Sequence, residues 1–279
     1  MSSRSEVIFD ARGRVFSPLH RPVRIVSLVP SLTELLFDLG LSNDEIVGRT
    51  KFCIHPDEAV RAVPIVGGTK TVHVQRVLAL RPDLVVANRE ENERATVEEL
   101  EAADPSVPVF VTNPGNIEES LDLVHNFGGL FRARTDANAV RLRLDTILAQ
   151  LYGCSRGRVV YLIWRQPYMT ITPVTYIHSV LEHLGYHNVV SNAWLADRYG
   201  SGGEIPRYPR ITISDIADLS PDKVLFSSEP FPFAEKHVDH FKRELVRKGI
   251  RLPDCSIVDG ELFSWYGSRL LHLTHFNIG

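Results

Sequence analysis

The sequence predicts an α/β protein: two Rossmann-like lobes with mainly parallel sheets, joined by a long backbone helix, with a ligand cleft between the lobes. Three observations carry that expectation. Short β-branched runs alternate with amphipathic helical stretches, the pattern of strand–helix–strand units. A helix-Pro-Asp-strand passage in the first half returns in the second. A long helical stretch with one apolar face lies between the two copies.

The elements follow in order. Residues 7–9 and 14–16 read as a hairpin around Asp10-Ala-Arg-Gly13, where glycine supplies the turn. Residues 24–29 form a buried strand, and Pro30-Ser31 opens a helix with Leu32, Leu35, Leu36 and Leu39 on one face, stopped by Gly40. Strands are expected at 46–47, 84–87 and 107–111, and helices at 74–80, 94–103 and 117–127. The helix over 135–152 starts at a Thr135 or Asp136 cap and ends before Gly153; at about 1.5 Å per residue it spans roughly 27 Å, long enough to connect two lobes. Strands at 159–164, 223–226 and 256–258 and helices at 176–184 and 235–247 complete the second half, and the Gly- and Pro-rich stretch 192–209 reads as a loop. The expected division is an N-terminal lobe over 1–134, the connecting helix over 135–152 and a C-terminal lobe over 153–279.

The internal echo is specific. Val74-Gln-Arg-Val-Leu-Ala-Leu-Arg-Pro-Asp-Leu-Val-Val86 matches Ile213-Ser-Asp-Ile-Ala-Asp-Leu-Ser-Pro-Asp-Lys-Val-Leu225 in apolar pattern and at Leu-x-Pro-Asp. In each copy proline ends a short helix and a buried strand follows at once.

Bulk properties narrow the function. The chain has 279 residues, 44% hydrophobic and 23% charged, enough apolar material for two cores. A net charge of −3 argues against a nucleic-acid or anionic-membrane binder, and no apolar run approaches the roughly 18 residues of a membrane span. The N-terminal MSSRSEVIFDARGRVF lacks the charged start, apolar stretch and cleavage site of an export signal, which predicts a cytoplasmic protein, with a periplasmic location as the alternative if a signal was trimmed. Three widely spaced cysteines, Cys53, Cys154 and Cys255, make a disulfide framework improbable on count alone.

In open parallel sheets, ligands bind at the loops beyond the carboxyl ends of strands. Those loops hold Lys51, Phe52, Glu90, Glu91, Trp164, Arg165, Tyr168, Glu229, Phe231, Phe233, Trp265, Tyr266 and Arg269, which are the candidate ligand-binding residues. Aromatic rings offer flat area for a macrocycle or siderophore-like chelate, and prolines and glycine in Phe-Pro-Phe and Trp-Tyr-Gly predict exposed loop rings. Arg165 and Arg269 suit carboxylate or phosphate. Glu90 and Glu229 each fall seven residues after the echoed aspartate, so facing lobes would set them across the cleft; alternatively each caps the helix that follows. Cys53-x-His55 offers a thiolate and an imidazole to a transition-metal ion, against the alternative of a buried Cys and a capping His. His272-x-x-His275 has helical spacing but no carboxylate partner for zinc. P-loop, G-x-S-x-G and H-E-x-x-H patterns are absent from the sequence. An enzyme acting on a metallocofactor, through Cys53 and His55 or the two glutamates, stands as an alternative with no complete nucleophile–base set.

With these residues assembled, the sequence resembles the helical-backbone metal receptor superfamily, which includes periplasmic receptors for cobalamin, iron siderophores, haem and zinc or manganese, and it is most like the cobalamin-binding branch. Arg24-Ile-Val-Ser-Leu-Val-Pro-Ser-Leu-Thr-Glu-Leu-Leu-Phe37 is similar to the family's first strand and helix, and Gly67-Gly68 through Val86 to its second signature. The resemblance runs from about Arg24 to Phe276 and implies a binding protein for a corrinoid, haem-like or siderophore-like chelate, not an enzyme. In transporter-coupled members one acidic residue per lobe pairs with the permease. The matching positions here are Gln75 and Ser214, with Asp215 adjacent. The resemblance therefore implies a binding protein uncoupled from an importer, the alternative being the substrate-binding subunit of an ABC-type importer.

Overall fold

A computed structural model describes residues 7–153, 155–200 and 204–275; Cys154, Gly202, Gly203 and Phe276 lie outside the described residues, as does the side chain of His275. The fold divides into two units. Unit 1 takes the chain through Pro114, residues 118–146 and the segment from Trp265 onward; unit 2 takes residues 115–117 and 147–264.

In unit 1 the hairpin strands β1 (Ile8–Phe9) and β2 (Val15–Phe16) pair antiparallel, with Gly13 at φ +77° between them. β3 (Ile25–Ser27) is wholly buried, as a central parallel strand must be. Helix α1 (Pro30–Asp38) starts with proline, whose missing N–H falls where no helical partner exists, and Gly40 at φ +75° lies just past its end. Then come β4 (Ile46–Arg49), α2 (Asp57–Arg61), α3 (Val74–Ala79), β5 (Leu84–Asn88), α4 (Arg94–Ala103), β6 (Val109–Thr112) and α5 (Ile117–Leu130). The sheet order is β4-β3-β5-β6, all parallel. The hairpin turn plugs the outer edge of β6. Ala11 N–H donates to the Val111 carbonyl at 2.7 Å, Val111 N–H to the Asp10 carboxylate at 3.3 Å, and the Arg12 guanidinium to the Val109 carbonyl.

Helix α6 (Arg134–Leu151) buries Val140, Leu144, Leu148 and Leu151 along one face, the stripe that its spacing predicts. Its residues through Thr146 belong to unit 1 and those from Ile147 to unit 2. Unit 2 continues with β7 (Gly157–Trp164), β8 (Met169–Thr170), α7 (Tyr176–His183), β9 (Tyr186–Asn188), α8 (Asn192–Tyr199), α9 (Ile213–Leu219), β10 (Lys223–Ser227), α10 (Glu235–Arg247), β11 (Asp254–Val258) and α11 (Gly260–Ser264). Its sheet runs β11-β10-β7-β8 with β9 also on β7, and every pairing but β7–β8 is parallel. A 3-10 segment, Gly267–His275, ends the described chain in unit 1.

One expectation fails outright. Residues 192–199, read as loop, form α8, because Ser191 caps it by accepting from Trp194 N–H at 3.2 Å and Leu195 anchors it in the core.

The echoed passages fold alike. Leu80-Arg-Pro-Asp83 and Leu219-Ser-Pro-Asp222 each place a residue of positive φ, Arg81 at +49° and Ser220 at +45°, before the proline. Asp83 then accepts from Arg24 N–H at 2.8 Å, and Asp222 from Arg158 N–H at 2.9 Å. The guanidinium of each arginine returns to the helix end, Arg24 to the Leu80 carbonyl at 2.7 Å and Arg158 to the Leu219 carbonyl at 2.8 Å. Each corner thus ties the end of a helix to the start of the first sheet strand of its unit.

Candidate functional site

Unit 1 presents four strand ends. After β4, the buried Arg49 guanidinium donates to the carbonyls of Val60 (2.7 Å), Thr50 and Cys53 (3.1 Å each), holding the loop in one shape. That shape leaves Phe52 49% exposed, with Lys51 Nζ 5.0 Å from its ring centroid. Gly68 lies beneath the pair: a Cβ there would stand 3.3 Å from the Phe52 ring. After β5, the buried Asn88 accepts from the N–H groups of Glu90 (2.8 Å) and Glu91 (3.2 Å) and donates to the Thr112 carbonyl (3.1 Å). Asn92 donates to the carbonyls of Leu28 (3.2 Å) and Thr69 (3.0 Å). Glu90 stays exposed and Glu91 half-buried.

Cys53 and His55 lie in different settings, and the buried cysteine is one of the two alternatives that the sequence left open. Cys53 is fully buried, its Sγ 3.1 Å from Thr33 Oγ1 and 3.2 Å from Thr50 Oγ1, and burial pushes the thiol up from its usual range. His55 Nε2 lies 2.6 Å from Arg269 Nη2. Among the described residues, no three His, Cys, Asp or Glu side chains gather as a metal site.

Three predicted contact residues from the C-terminal stretch belong to unit 1 and are buried: Trp265, Tyr266 and Arg269. Arg269 pairs with Glu34 Oε1 at 3.1 Å and stacks 5.1 Å over Trp265, which also meets the His55 ring edge-on at 5.7 Å. Tyr266 OH lies 3.2 Å from Thr112 Oγ1. Burial pushes the Glu34 carboxyl up to about 7 despite Arg269, and Glu34 Oε2 has no hydrogen-bond partner among the described residues. Exposed geometry was expected for Trp-Tyr-Gly; instead Gly267 N–H donates to Ser120 Oγ at 2.7 Å and turns both rings into the core.

Unit 2 presents the ends of β7, β10 and β11. Trp164 is 40% exposed and meets Phe231 edge-on at 5.7 Å. Phe231 is half-buried against Phe233 at 4.8 Å and His237 at 5.1 Å. Phe233 is buried on Phe226 at 5.2 Å, because its N–H turns back to the Phe231 carbonyl at 2.8 Å; the Phe-Pro-Phe loop therefore exposes less ring than its prolines suggest. Tyr168 packs on Phe241 at 5.8 Å, and burial raises its phenol while a bond from Arg165 partly offsets that.

Glu90 and Glu229 sit at equivalent places, each two residues past a five-residue strand. Neither caps the next helix, whose N-caps are Glu93 and Ala234. Glu229 Oε1 instead accepts from Ser264 Oγ at 2.5 Å. Gly260 makes this possible: a Cβ there would stand 2.6 Å from Glu229 Cγ and 3.0 Å from its nitrogen. A groove of about 240 Å³ in unit 1, lined by Phe9, Val111, Asn113, Glu119, Asp122 and Asn126 among others, holds none of the predicted contact residues. Sequence reading passed over Gly260, Asn88 and Asn92; their buried bonds connect segments far apart in the chain.

Two α/β units, each on a mainly parallel sheet with rings and charges at its strand ends, define the binding-protein class of fold. The chain belongs to the periplasmic binding protein family, whose profile matches residues 25–245. Among its relatives, the vitamin B12-binding protein of Vibrio parahaemolyticus is 25% identical over 74% of this chain and 70% of its own length. That of Yersinia pestis is 28% identical over 63% of each, so the chain spans just under two thirds of that relative. Two solved structures share the fold: the periplasmic vitamin B12 binding protein of Vibrio cholerae (17% identity, TM-score 0.70, covering 91% of this chain and 94% of that one) and a periplasmic heme-binding protein from Roseiflexus sp. RS-1 (17%, TM-score 0.71, 92% and 97%).

Proposed function

We propose that the chain is a binding protein for a corrinoid, haem-like or siderophore-like chelate, with contacts supplied by strand-end loops. The observation that carries the reading is an exposed ring at a strand end of each unit, Phe52 after β4 with Lys51 Nζ 5.0 Å from its centroid, and Trp164 at the end of β7, where Arg165 follows it in the chain. Exposed rings suit the flat face of a macrocycle, and cations suit carboxylates at its edge. The relatives that bind vitamin B12 and heme support the same ligand chemistry. Titration with cyanocobalamin, haemin and a ferric siderophore, followed by absorbance and dialysis, tests it. Saturable binding of at least one is expected, weakened about tenfold by Trp164→Ala; no binding across the set overturns the reading.

The relatives' periplasmic location favours the exported alternative over the cytoplasmic expectation, and fractionation of the producing cell decides between them. Among the described residues, no helix is long and apolar enough to cross a membrane. We further propose that no charge-paired permease docking occurs at α3 and α9. Gln75 and Ser214 are exposed and uncharged, and the Asp215 carboxylate is spent on Thr212 (2.7 Å) and Arg198 (2.7 Å). Stimulation of an importer's ATPase by the purified protein would refute that part. A binding role also fits the protonated, buried Cys53 better than catalysis by that thiol does.

A further inference from the structure

Resting on the reading that the loop after β4 supplies contacts to the ligand, we infer that Arg269 is a positioning residue: from the 3-10 segment it holds the far arm of that loop and so fixes where Phe52 and Lys51 stand. The loop runs from the end of β4 at Arg49 to the start of α2 at Asp57. Phe52 and Ile54 are 49% and 46% exposed, so neither buries enough to set the loop's shape, and polar ties must do it. The near arm is tied by the Arg49 guanidinium and by Lys51 N–H, which donates to the Gly67 carbonyl at 2.8 Å. Cys53 turns inward against Thr33 of α1. The far arm is met at His55, whose Nε2 accepts from Arg269 Nη2 at 2.6 Å across 214 positions of sequence.

A simpler role for Arg269 would be to neutralise Glu34, and the geometry argues against that as its whole task. A guanidinium closed on one carboxylate gives both oxygens a donor. Here Nη1 donates to Glu34 Oε1 at 3.1 Å, Oε2 has no hydrogen-bond partner among the described residues, and Nη2 is turned to the loop. The head is therefore shared between α1 and His55. Its aim is set by its surroundings: the guanidinium stacks 5.1 Å over Trp265, whose ring also meets His55 edge-on at 5.7 Å. Gly267, at φ +82°, lets the segment lie close on α1, since a Cβ there would stand 3.3 Å from Leu35 Cδ2. A planar fork can serve two acceptors while stacked on a ring; the point charge of a lysine cannot.

The test measures amide hydrogen exchange of the full chain without ligand, and in parallel its titration with cyanocobalamin, haemin and a ferric trihydroxamate. Two variants leave the Arg269–Glu34 pair in place: His55→Gln keeps an acceptor for Nη2, and His55→Leu removes it. His55→Leu and Arg269→Lys should speed exchange of the hydrogen-bonded Lys51 and Cys53 amides about tenfold, while the Val85 amide of β5 keeps its parent rate. His55→Gln should stay within about twofold of the parent. Whichever probe the parent binds should bind the two loosened variants about tenfold more weakly and His55→Gln within about twofold. Parent rates in every variant, a rise shared equally by Val85, or a glutamine variant as loose as the leucine one overturns the inference. So does a loosened loop with unchanged affinity. If the parent binds none of the three probes, the chelate reading falls, while the exchange rates still decide whether Arg269 holds the loop.

Discussion

The two Leu-x-Pro-Asp corners share a backbone plan, but the strands that follow them end differently. At the corners, Asp83 and Asp222 accept the same kind of N–H, and Arg24 and Arg158 return to the same helix-end carbonyl. At the strand ends, Asn88 stands in unit 1 where Ser227 stands in unit 2. Asn88 makes four side-chain bonds that fasten the Glu90–Glu91 turn to β6. Ser227 bonds Tyr161 OH at 3.1 Å and the Glu229 carbonyl at 2.5 Å, while the loop beyond it is fastened by Ser264 and Gly260. The corner is common to both units, and the strand end is where the fastening of their loops differs.

That comparison can be broken at its widest point first. Asn88→Ala leaves buried backbone groups without partners and should cost about 3 kcal/mol, against about 1.5 kcal/mol for Ser227→Ala, read from urea midpoints. Equal losses would erase the distinction. A second contrast is the charge buried in unit 1. Burial raises Glu34 to about 7, above its unfolded value near 4.5, so the unfolded chain gives up that proton first. The cost of ionising Glu34 is absent below about pH 4.5, grows as pH rises, and is complete above about 7, amounting to roughly 3 kcal/mol as an order of magnitude. Thermal melts of Glu34→Gln between pH 5 and 8 should show a shallower decline than those of the parent chain.

Smaller effects sharpen the likeness. Asp83→Ala and Asp222→Ala should each lower stability by about 1 kcal/mol, because both are solvent-accessible acceptors of one strand N–H. A twofold disparity would mean that the corners are alike in shape only. The helix entries give the finest test. Thr212 and Asp215 form a reciprocal cap on α9, whereas His73 makes no side-chain cap on α3. Thr212→Ala should cost about 1 kcal/mol and His73→Ala less than about 0.5 kcal/mol.

The fold was largely legible because its signals are local. Apolar periodicity placed α1, α4 and α6, and proline after a short helix placed both corners. The site was legible only in part, for two physical reasons. First, exposure is set by partners distant in sequence: Trp265 is 8% exposed through contacts with residues more than two hundred positions earlier. Second, charge at a loop says nothing of its pairing. Arg269 reads like a ligand clamp until Glu34 and His55 are seen around it. Trp164 stays 40% exposed with Phe231 edge-on beside it, a neighbour sixty-seven positions away in the chain.

The hairpin turn at residues 10–13 has a consequence for the protein's life in solution. It occupies backbone groups of β6 that an edge strand would otherwise offer to any passing extended chain. A version shortened past Gly13 would keep its parallel sheet but bare that margin. Rising light scattering at constant circular dichroism is the expected outcome, the mark of molecules adding to one another edge by edge.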